Sequence, residues 1–381
     1  MAGPLAGLRI IEFAGIGPGP FAGMMLADHG AEVIRIDRPG PPGGVGSMGG
    51  KDVLARSRRS IALNLKSPEA VAVARRLCAS ADGVIEGLRP GVMERLGLGP
   101  DELLADNPKL VYGRMTGWGQ TGPYAQSAGH DINYIALAGA LWHYGRAGEK
   151  PTAPINMVGD FGGGAMMLAF GMVSAMLNVQ RGGEGQVIDC AMTDGTALLM
   201  GMFWGMSSAG MWQEKRGANL LDSAAHFYDT YECSCGGYVS IGSIEPQFYA
   251  ELLRLAGLAD DPDFAVQMDP RRWPALKDKL TALFLTKSRD EWCAIMEMTD
   301  VCFAPVLPMS EAKVHPHNVA RGTFIDVGGD TQPAPAPRYS KTMTDYPRPE
   351  TAPGKDTSAI LAELGLAEAE LSALRAAKAI I

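Results

Sequence analysis

The sequence is poor in cysteine and histidine, six of each in 381 residues, and it has no excess of positive charge. Its 34 lysines and arginines face 42 aspartates and glutamates, a net charge of −8. Nucleic acids and anionic lipid surfaces are bound through a basic field, so this balance argues against both partners and leaves room only for a local basic pocket. The cysteines, Cys78, Cys190, Cys233, Cys235, Cys293 and Cys302, lack paired metal-ligand spacing and read as unbridged thiols in a chain of this size. Cys233 and Cys235 form the one close pair. In a strand their side chains share a face next to the Gly236-Gly237 turn, which favours a hairpin over metal or redox chemistry. No metal is expected. Long apolar runs are also lacking: Ala165 to Val179 is too short and too flanked by glycine to span a bilayer, and Met1 to Leu8 has neither the charge nor the apolar core of a signal peptide. These absences point to a soluble, cytoplasmic chain.

What is present, 46% hydrophobic and 20% charged residues, is a globular composition long enough for two cores of unequal size. Leu8 to Phe13 is an apolar, β-rich run, followed by Gly15-Ile16-Gly17-Pro18-Gly19-Pro20, a helical stretch, and a second strand at Ala31 to Ile36. That is a β-α-β unit of Rossmann type. Alternation continues through a helix at Pro68 to Ser80 and strands at Gly83 to Glu86, Lys109 to Arg114 and Gln186 to Ala191, which predicts a mostly parallel sheet with covering helices. A helix follows Asp160 to about Gln180, and Leu198 to Trp212 has no clear amphipathic period. From Tyr228 to Ile241 the pattern becomes an antiparallel hairpin, with helices at Gln247 to Leu255 and Trp273 to Leu285, which indicates a smaller α+β domain. Pro333 to Pro337 reads as an extended linker and Thr357 to Lys378 as one or two surface helices. The expected division is a large α/β domain from 1–193 and 326–381, a small domain at 223–312, and linkers at 194–222 and 313–325.

The first β-α-β unit imitates a dinucleotide site, with Asp37 and Arg38 after the second strand. The imitation fails at Pro18 and Pro20, which lack the N–H donors that would hold a pyrophosphate, and Pro20 stands where the third glycine belongs. Arginines nevertheless gather at Arg38, Arg56, Arg58, Arg59, Arg89 and Arg95. Guanidinium matches phosphate bidentately and stacks on adenine, so the group suggests a ligand carrying nucleotide phosphates, against the alternative of salt-bridged surface arginines.

Ala14 to Pro39 (AGIGPGPFAGMMLADHGAEVIRIDRP), Asn64 to Ser67, Glu86 to Gly91, Met115 to Pro123 (MTGWGQTGP), Gly129 to Tyr134 (GHDINY) and Gly159 to Gly164 (GDFGGG) occur in this order. In these residues the chain resembles the third family of CoA transferases, and within it the α-methylacyl-CoA racemases, over nearly its full length. The resemblance implies a Rossmann-like large domain built from both chain ends, a small domain between them, and an interlocked homodimer, which runs against the rule that chains do not thread loops. It also implies that CoA, as part of the substrate and with no further cofactor, lies against Arg38, Leu63, Asn64, Leu65, Lys66, Gly87, Leu88, Arg89, Arg95, Gly129, His130, Asp131, Ile132, Asn133 and Tyr134. The glycine-rich stretch Gly40 to Gly50 departs from the family pattern.

Racemising a 2-methylacyl thioester removes the α-proton on one face and returns one on the other through a planar enolate, which two opposed acid/base groups serve best. The resemblance assigns these to His130 and Asp160, with Glu245 pairing with His130. His130 reads as part of a loop or helix start after a sheet segment, where α/β sheets meet ligands, a setting the other five histidines lack. Asp160 also reads as a helix N-cap, whose own N–H would face the enolate oxygen. Glu245, before Pro246, equally reads as a helix start. The 21 methionines are ordinary core residues or an adaptable surface for a sliding acyl tail. A CoA transferase using Asp160 as nucleophile is the main alternative, and a non-catalytic CoA-binding protein a third; His130 together with Glu245 favours racemisation.

Overall fold

The computed structural model describes residues 3–40 and 51–380. The stretch 41–50, with most of the departing glycine-rich loop, lies outside them. The first strands and helices are β1 (Arg9–Phe13), α1 (Pro18–Asp28), β2 (Glu32–Asp37), β3 (Arg59–Ala62), α2 (Pro68–Ala79), β4 (Gly83–Glu86), α3 (Val92–Arg95), α4 (Pro100–Asp106), β5 (Val111–Thr116) and α5 (Asp131–Leu137). After them come a π-helical segment, Met157–Met166, continuous with α6 (Met167–Gln180), then β6 (Gln186–Ala191) and α7 (Met192–Leu199). The six strands form one parallel sheet in the order β3-β2-β1-β4-β5-β6.

That is the order of a doubly wound nucleotide-binding sheet, and its direction of winding reverses between β1 and β4. Strands buried on both faces are apolar at successive positions, which is why the first runs were legible as strands. Ile11, Ile34, Val84 and Tyr112 point to one face and Ile10, Val33, Ile85 and Val111 to the other, where α1 and α6 supply Leu26, Leu168, Met172 and Met176.

Contacts divide the chain into two compact units, one of Met1–Ala138, Pro154–Met200 and Phe324–Ile381, the other of Gly139–Ala153 and Gly201–Thr323. The segment 139–153, which reads in the sequence as part of the first domain, belongs to the second because it is tied there. Trp142 Nε1 donates to the Glu214 carbonyl at 3.2 Å, and Arg146 meets Asp229 Oδ1 at 2.5 Å. The second unit contains α8 (Gly201–Ser208), β7 (Tyr228–Glu232), β8 (Tyr238–Gly242), α9 (Pro246–Ala256), α10 (Trp273–Phe284), α11 (Arg289–Met296), β9 (Phe303–Val306), α12 (Met309–Ala312) and α13 (Pro316–Arg321). Its antiparallel sheet, β7-β8-β9, covers a core that includes Phe227, Tyr231, Trp273, Phe284 and Trp292. The expected hairpin is present, but β7 stops at Glu232, so Cys233 is buried while Cys235 lies exposed in the turn; they do not share a face.

The chain then returns to the first unit through the hairpin β10 (Phe324–Val327) and β11 (Asp330–Pro333) and the helices α14 (Thr357–Glu363) and α15 (Glu368–Ala376). The last two are not surface additions: Ile360, Leu361, Leu371 and Leu374 complete the core that covers β3 and α2.

The apolar helix is longer than its sequence pattern indicated. With the π turns it runs from Met157 to Gln180, 24 residues, which is long and apolar enough to cross a membrane by length and composition. One side packs on the sheet, where Leu168 and Met172 are buried. The other leaves Met166, Phe170, Val173 and Leu177 exposed in one stripe.

Candidate active site

A cavity of about 880 Å³ opens within the first unit at the carboxyl ends of β1, β4 and β5, where open α/β sheets receive ligands at their switch point. Its walls include the Gly15–Pro20 turn after β1, Gly87–Pro90 after β4, and Thr116–Trp118 after β5. Arg38, Ser127–His130, Asn133, Tyr134, Asn156, Asp160 and Met192 also line it. His130 and Asp160 therefore face one space.

His130 is the residue before α5. Its N–H donates to Asn133 Oδ1 at 3.0 Å, and the Tyr134 hydroxyl donates to the Gly129 carbonyl. Tyr134 packs edge-on against Trp118 with ring centroids 4.8 Å apart. The backbone on either side of His130 is thus fixed by its own first helical turn, while the imidazole is exposed to the cavity.

Asp160 sits inside the π-helical segment, whose N-cap is Asn156, so it is not the helix N-cap that the glycine run suggested. The Asn156 side-chain amide donates to Asp160 Oδ2 at 3.0 Å. The expectation that the Asp160 N–H faces an enolate oxygen is also overturned, because that N–H already donates to Asp131 Oδ1 at 2.8 Å. Burial raises the proton affinity of the Asp160 carboxyl above the ordinary aspartate range, and the nearby Asp131 charge adds to this. The Asn156 hydrogen bond and His130 act in the opposite direction.

The six grouped arginines separate into two kinds. Arg56 is buried against Asp28, its Nε 3.1 Å from Oδ1. Arg58 is buried against Glu12, its Nε 3.0 Å from Oε2, and also donates to the Pro20 carbonyl at the base of the cavity turn. Arg59 pairs with Glu32 and Glu363. These three are structural ion pairs that cannot reach a ligand. Arg38, Arg89 and Arg95 are exposed and have no ion pair among the described residues, and Arg38 and Arg89 line the cavity.

Of the other expected CoA contacts, Gly87, Leu88, Gly129, Asn133 and Tyr134 line the cavity, while Leu63, Asn64, Leu65, Lys66, Arg95, Asp131 and Ile132 do not. Leu63 is in the core, and the Asn64 backbone N–H bonds the Ala379 carbonyl at 2.9 Å. The Asp131 carboxylate turns away into the junction with the π segment. Neither Leu63 nor Asp131 offers its side chain to a ligand. Glu245 takes the N-cap position of α9 in the second unit, without a side-chain capping bond. Two contributors were missed. Asn156 precedes Asp160 by four, a spacing that places both on one helical face. Glu86, buried at the end of β4, accepts the Leu88 N–H at 2.7 Å and Arg114 Nε at 2.8 Å, which shapes the turn bearing Arg89. No group of three or more histidine, cysteine, aspartate or glutamate side chains able to hold a metal occurs among the described residues.

Comparison with known proteins gives the family. The chain is 45% identical over 369 residues to the alpha-methylacyl-CoA racemase of Mus musculus, covering 96% of this chain and 95% of that one. It is 43% identical over 379 residues to the same-named protein of Homo sapiens, covering 99% and 97%. A solved CAIB/BAIF family protein from Brucella suis, 28% identical, superposes with a TM-score of 0.81 over 96% of this chain and 100% of that one. The sequence model of CoA-transferase family III matches residues 5–357, and the chain belongs to that family.

Proposed function

We propose that this protein is a racemase of 2-methylacyl-CoA thioesters, with His130 and Asp160 as the two proton carriers. The observation that carries the reading is their common cavity, at the carboxyl end of the sheet and beside the guanidinium groups of Arg38 and Arg89, which have no ion pair among the described residues. The phosphates of CoA engage Arg38 and Arg89, and the Gly87–Arg89 turn contacts the nucleotide. The thioester then reaches between the carriers. In one direction the His130 imidazole removes the α-proton, the electron pair passes to the thioester oxygen as an enolate, and protonated Asp160 delivers a proton to the opposite face. The other direction exchanges the roles. A carboxyl whose proton affinity is raised by burial suits this use, since a carboxylic acid must hold its proton near neutral pH to return it. Glu245 serves as the partner that orients His130. No cofactor beyond the CoA of the substrate is required.

The alternative, acyl transfer through a mixed anhydride on Asp160, uses the same fold and CoA site but gives His130 no proton to carry. The two separate when one enantiomer of a 2-methylacyl-CoA is incubated in D₂O, alone and with a free carboxylate. Deuterium uptake at the α-carbon with racemisation in the absence of acceptor is expected. CoA transfer without exchange would establish the transferase instead. Glu245→Gln is expected to fold normally and slow the exchange.

The proposed oligomer is a homodimer, which covers the exposed Met166, Phe170, Val173 and Leu177 stripe. Light scattering reporting a monomer at micromolar concentration would reject it.

A further inference from the structure

The structure assigns Asp131 as a positioning residue: its buried carboxylate locks the backbone of Asp160 to the start of the helix that follows His130, and so sets the separation of the two proton carriers. The assignment rests on the racemase reading above. Asp131 is only 6% exposed, although it lies beside an exposed histidine at the rim of a cavity. Its Oδ1 accepts the Asp160 N–H at 2.8 Å, across 29 residues of sequence. Its Oδ2 is buried without a hydrogen-bond partner among the described residues. A buried carboxyl oxygen without a hydrogen-bond partner is costly, and such an arrangement persists where the surroundings over-determine it. The approach is too close for any side chain to intervene, since a Cβ on Gly159 would lie 2.5 Å from the same Oδ1. One carboxylate therefore joins the elements that carry the two acid/base groups.

The clamp also carries charge. The titratable groups around the Asp160 carboxyl are Asp131, His130 and Tyr134, all from the start of α5. The π segment supplies the neutral Asn156, α1 approaches with the Gly17 backbone, and α7 packs Met192, Gly195 and Thr196 against the segment with Asp194 exposed. Removing the Asp131 charge leaves a weaker negative field at Asp160, so its proton is held less tightly.

Asp131→Ala and Asp131→Asn test the assignment. The alanine variant is expected to lose about 100-fold in kcat for both enantiomers, with KM within about threefold, because misplacement by roughly 1 Å has that effect on oriented proton transfer. Asparagine keeps an acceptor at Oδ1 and restores kcat to within about tenfold of the parent, while the titration limb governed by Asp160 moves to lower pH in both directions. Amide hydrogen exchange in the 157–166 segment rises in the alanine variant and not in the asparagine variant. Wild-type kcat and pH profile in Asp131→Ala, or equal impairment of the two variants with only a lower melting temperature, would overturn the assignment. Unchanged amide exchange in Asp131→Ala would overturn the clamp itself. A parent protein inert toward the α-proton, with the amide effect intact, would overturn the racemase reading and leave the clamp standing.

Discussion

Replacing Gly195 by alanine is expected to disable catalysis without touching a group that meets the substrate. Helix α7 and the π segment approach each other at Gly195 and Gly163. A Cβ at 195 would stand 1.8 Å from the Gly163 carbonyl oxygen and 2.6 Å from its carbon. Real Cβ contacts essentially never fall below 3.0 Å, so the two backbones must separate by about 1.2 Å, and neither has a flexible side-chain end that could yield instead. Gly163 is three residues beyond Asp160 in the same segment, so the opening is passed to the carboxyl. Overpacking of this kind costs about 1–3 kcal/mol, a fall of a few degrees in melting temperature for a unit of this size. Displacing a proton carrier by roughly 1 Å lowers kcat about 100-fold. KM for the thioester should change little, because Arg38 and Arg89 stand on other turns. The assay is α-proton exchange in D₂O alongside thermal unfolding, with Gly171→Ala as control. A Cβ at 171 meets only Ile188, its Cγ2 at 3.4 Å and Cδ1 at 3.6 Å, ordinary contacts, so the control should keep full activity and gain about 0.5–1 kcal/mol of helix stability. Gly195→Ala with the kcat of the parent would refute the argument that this contact holds Asp160 in place.

Arg38→Ala and Arg89→Ala are each expected to raise KM for acyl-CoA about tenfold with kcat nearly unchanged, as removal of uniform binding requires; steady-state kinetics at fixed ionic strength checks this. Arg58→Ala leaves Glu12, whose carboxyl is already pushed up by burial, without its cation, and should cost about 3–5 kcal/mol in denaturant unfolding. His226 is fully buried with its Nε2 2.8 Å from the Tyr249 hydroxyl, and burial lowers its imidazole to about 4 from an ordinary 6.5. The unfolded chain binds the additional proton between those values. Stability from this group is therefore complete above about pH 6.5 and falls by about 3 kcal/mol as the pH drops to 4, which a His226→Phe variant should not show in urea titrations across that range.

Much of the first unit was legible because strands buried on both faces announce themselves by continuous apolar runs: β4, buried throughout, was bounded to the residue. The catalytic candidates were legible only through family resemblance, since a lone histidine and a lone aspartate carry no spacing signal. The π segment was not legible at all. Its glycines look like a helix start, while a π turn is defined by which carbonyl each N–H reaches, and neither apolar period nor composition encodes that. Burial of polar residues was the other blind spot. Arg56, Arg58 and Asp131 read as surface or ligand groups because charge predicts exposure; only three-dimensional pairing shows that they are interior. The segment 139–153 failed for a similar reason, as its attachments to Glu214 and Asp229 cross some 70 to 80 residues of chain.

The first unit's dependence on its distant C-terminal helices has a consequence for biosynthesis. Ile61, Leu63, Val73 and Leu77 emerge from the ribosome early, but Ile360, Leu361, Leu371 and Leu374, which cover them, are made roughly 300 residues later. At about 5–20 residues per second, that apolar face stays open on the order of 15–60 s. Asp356 cannot accept the Ser60 N–H, nor Ala379 the Asn64 N–H, until roughly 300 further residues have been made. The nascent chain is thus a natural client for chaperones throughout translation of the second unit. A stop or frameshift after Thr323, which would leave the cavity residues and the second unit intact in sequence, should yield an aggregating product and not a slower enzyme.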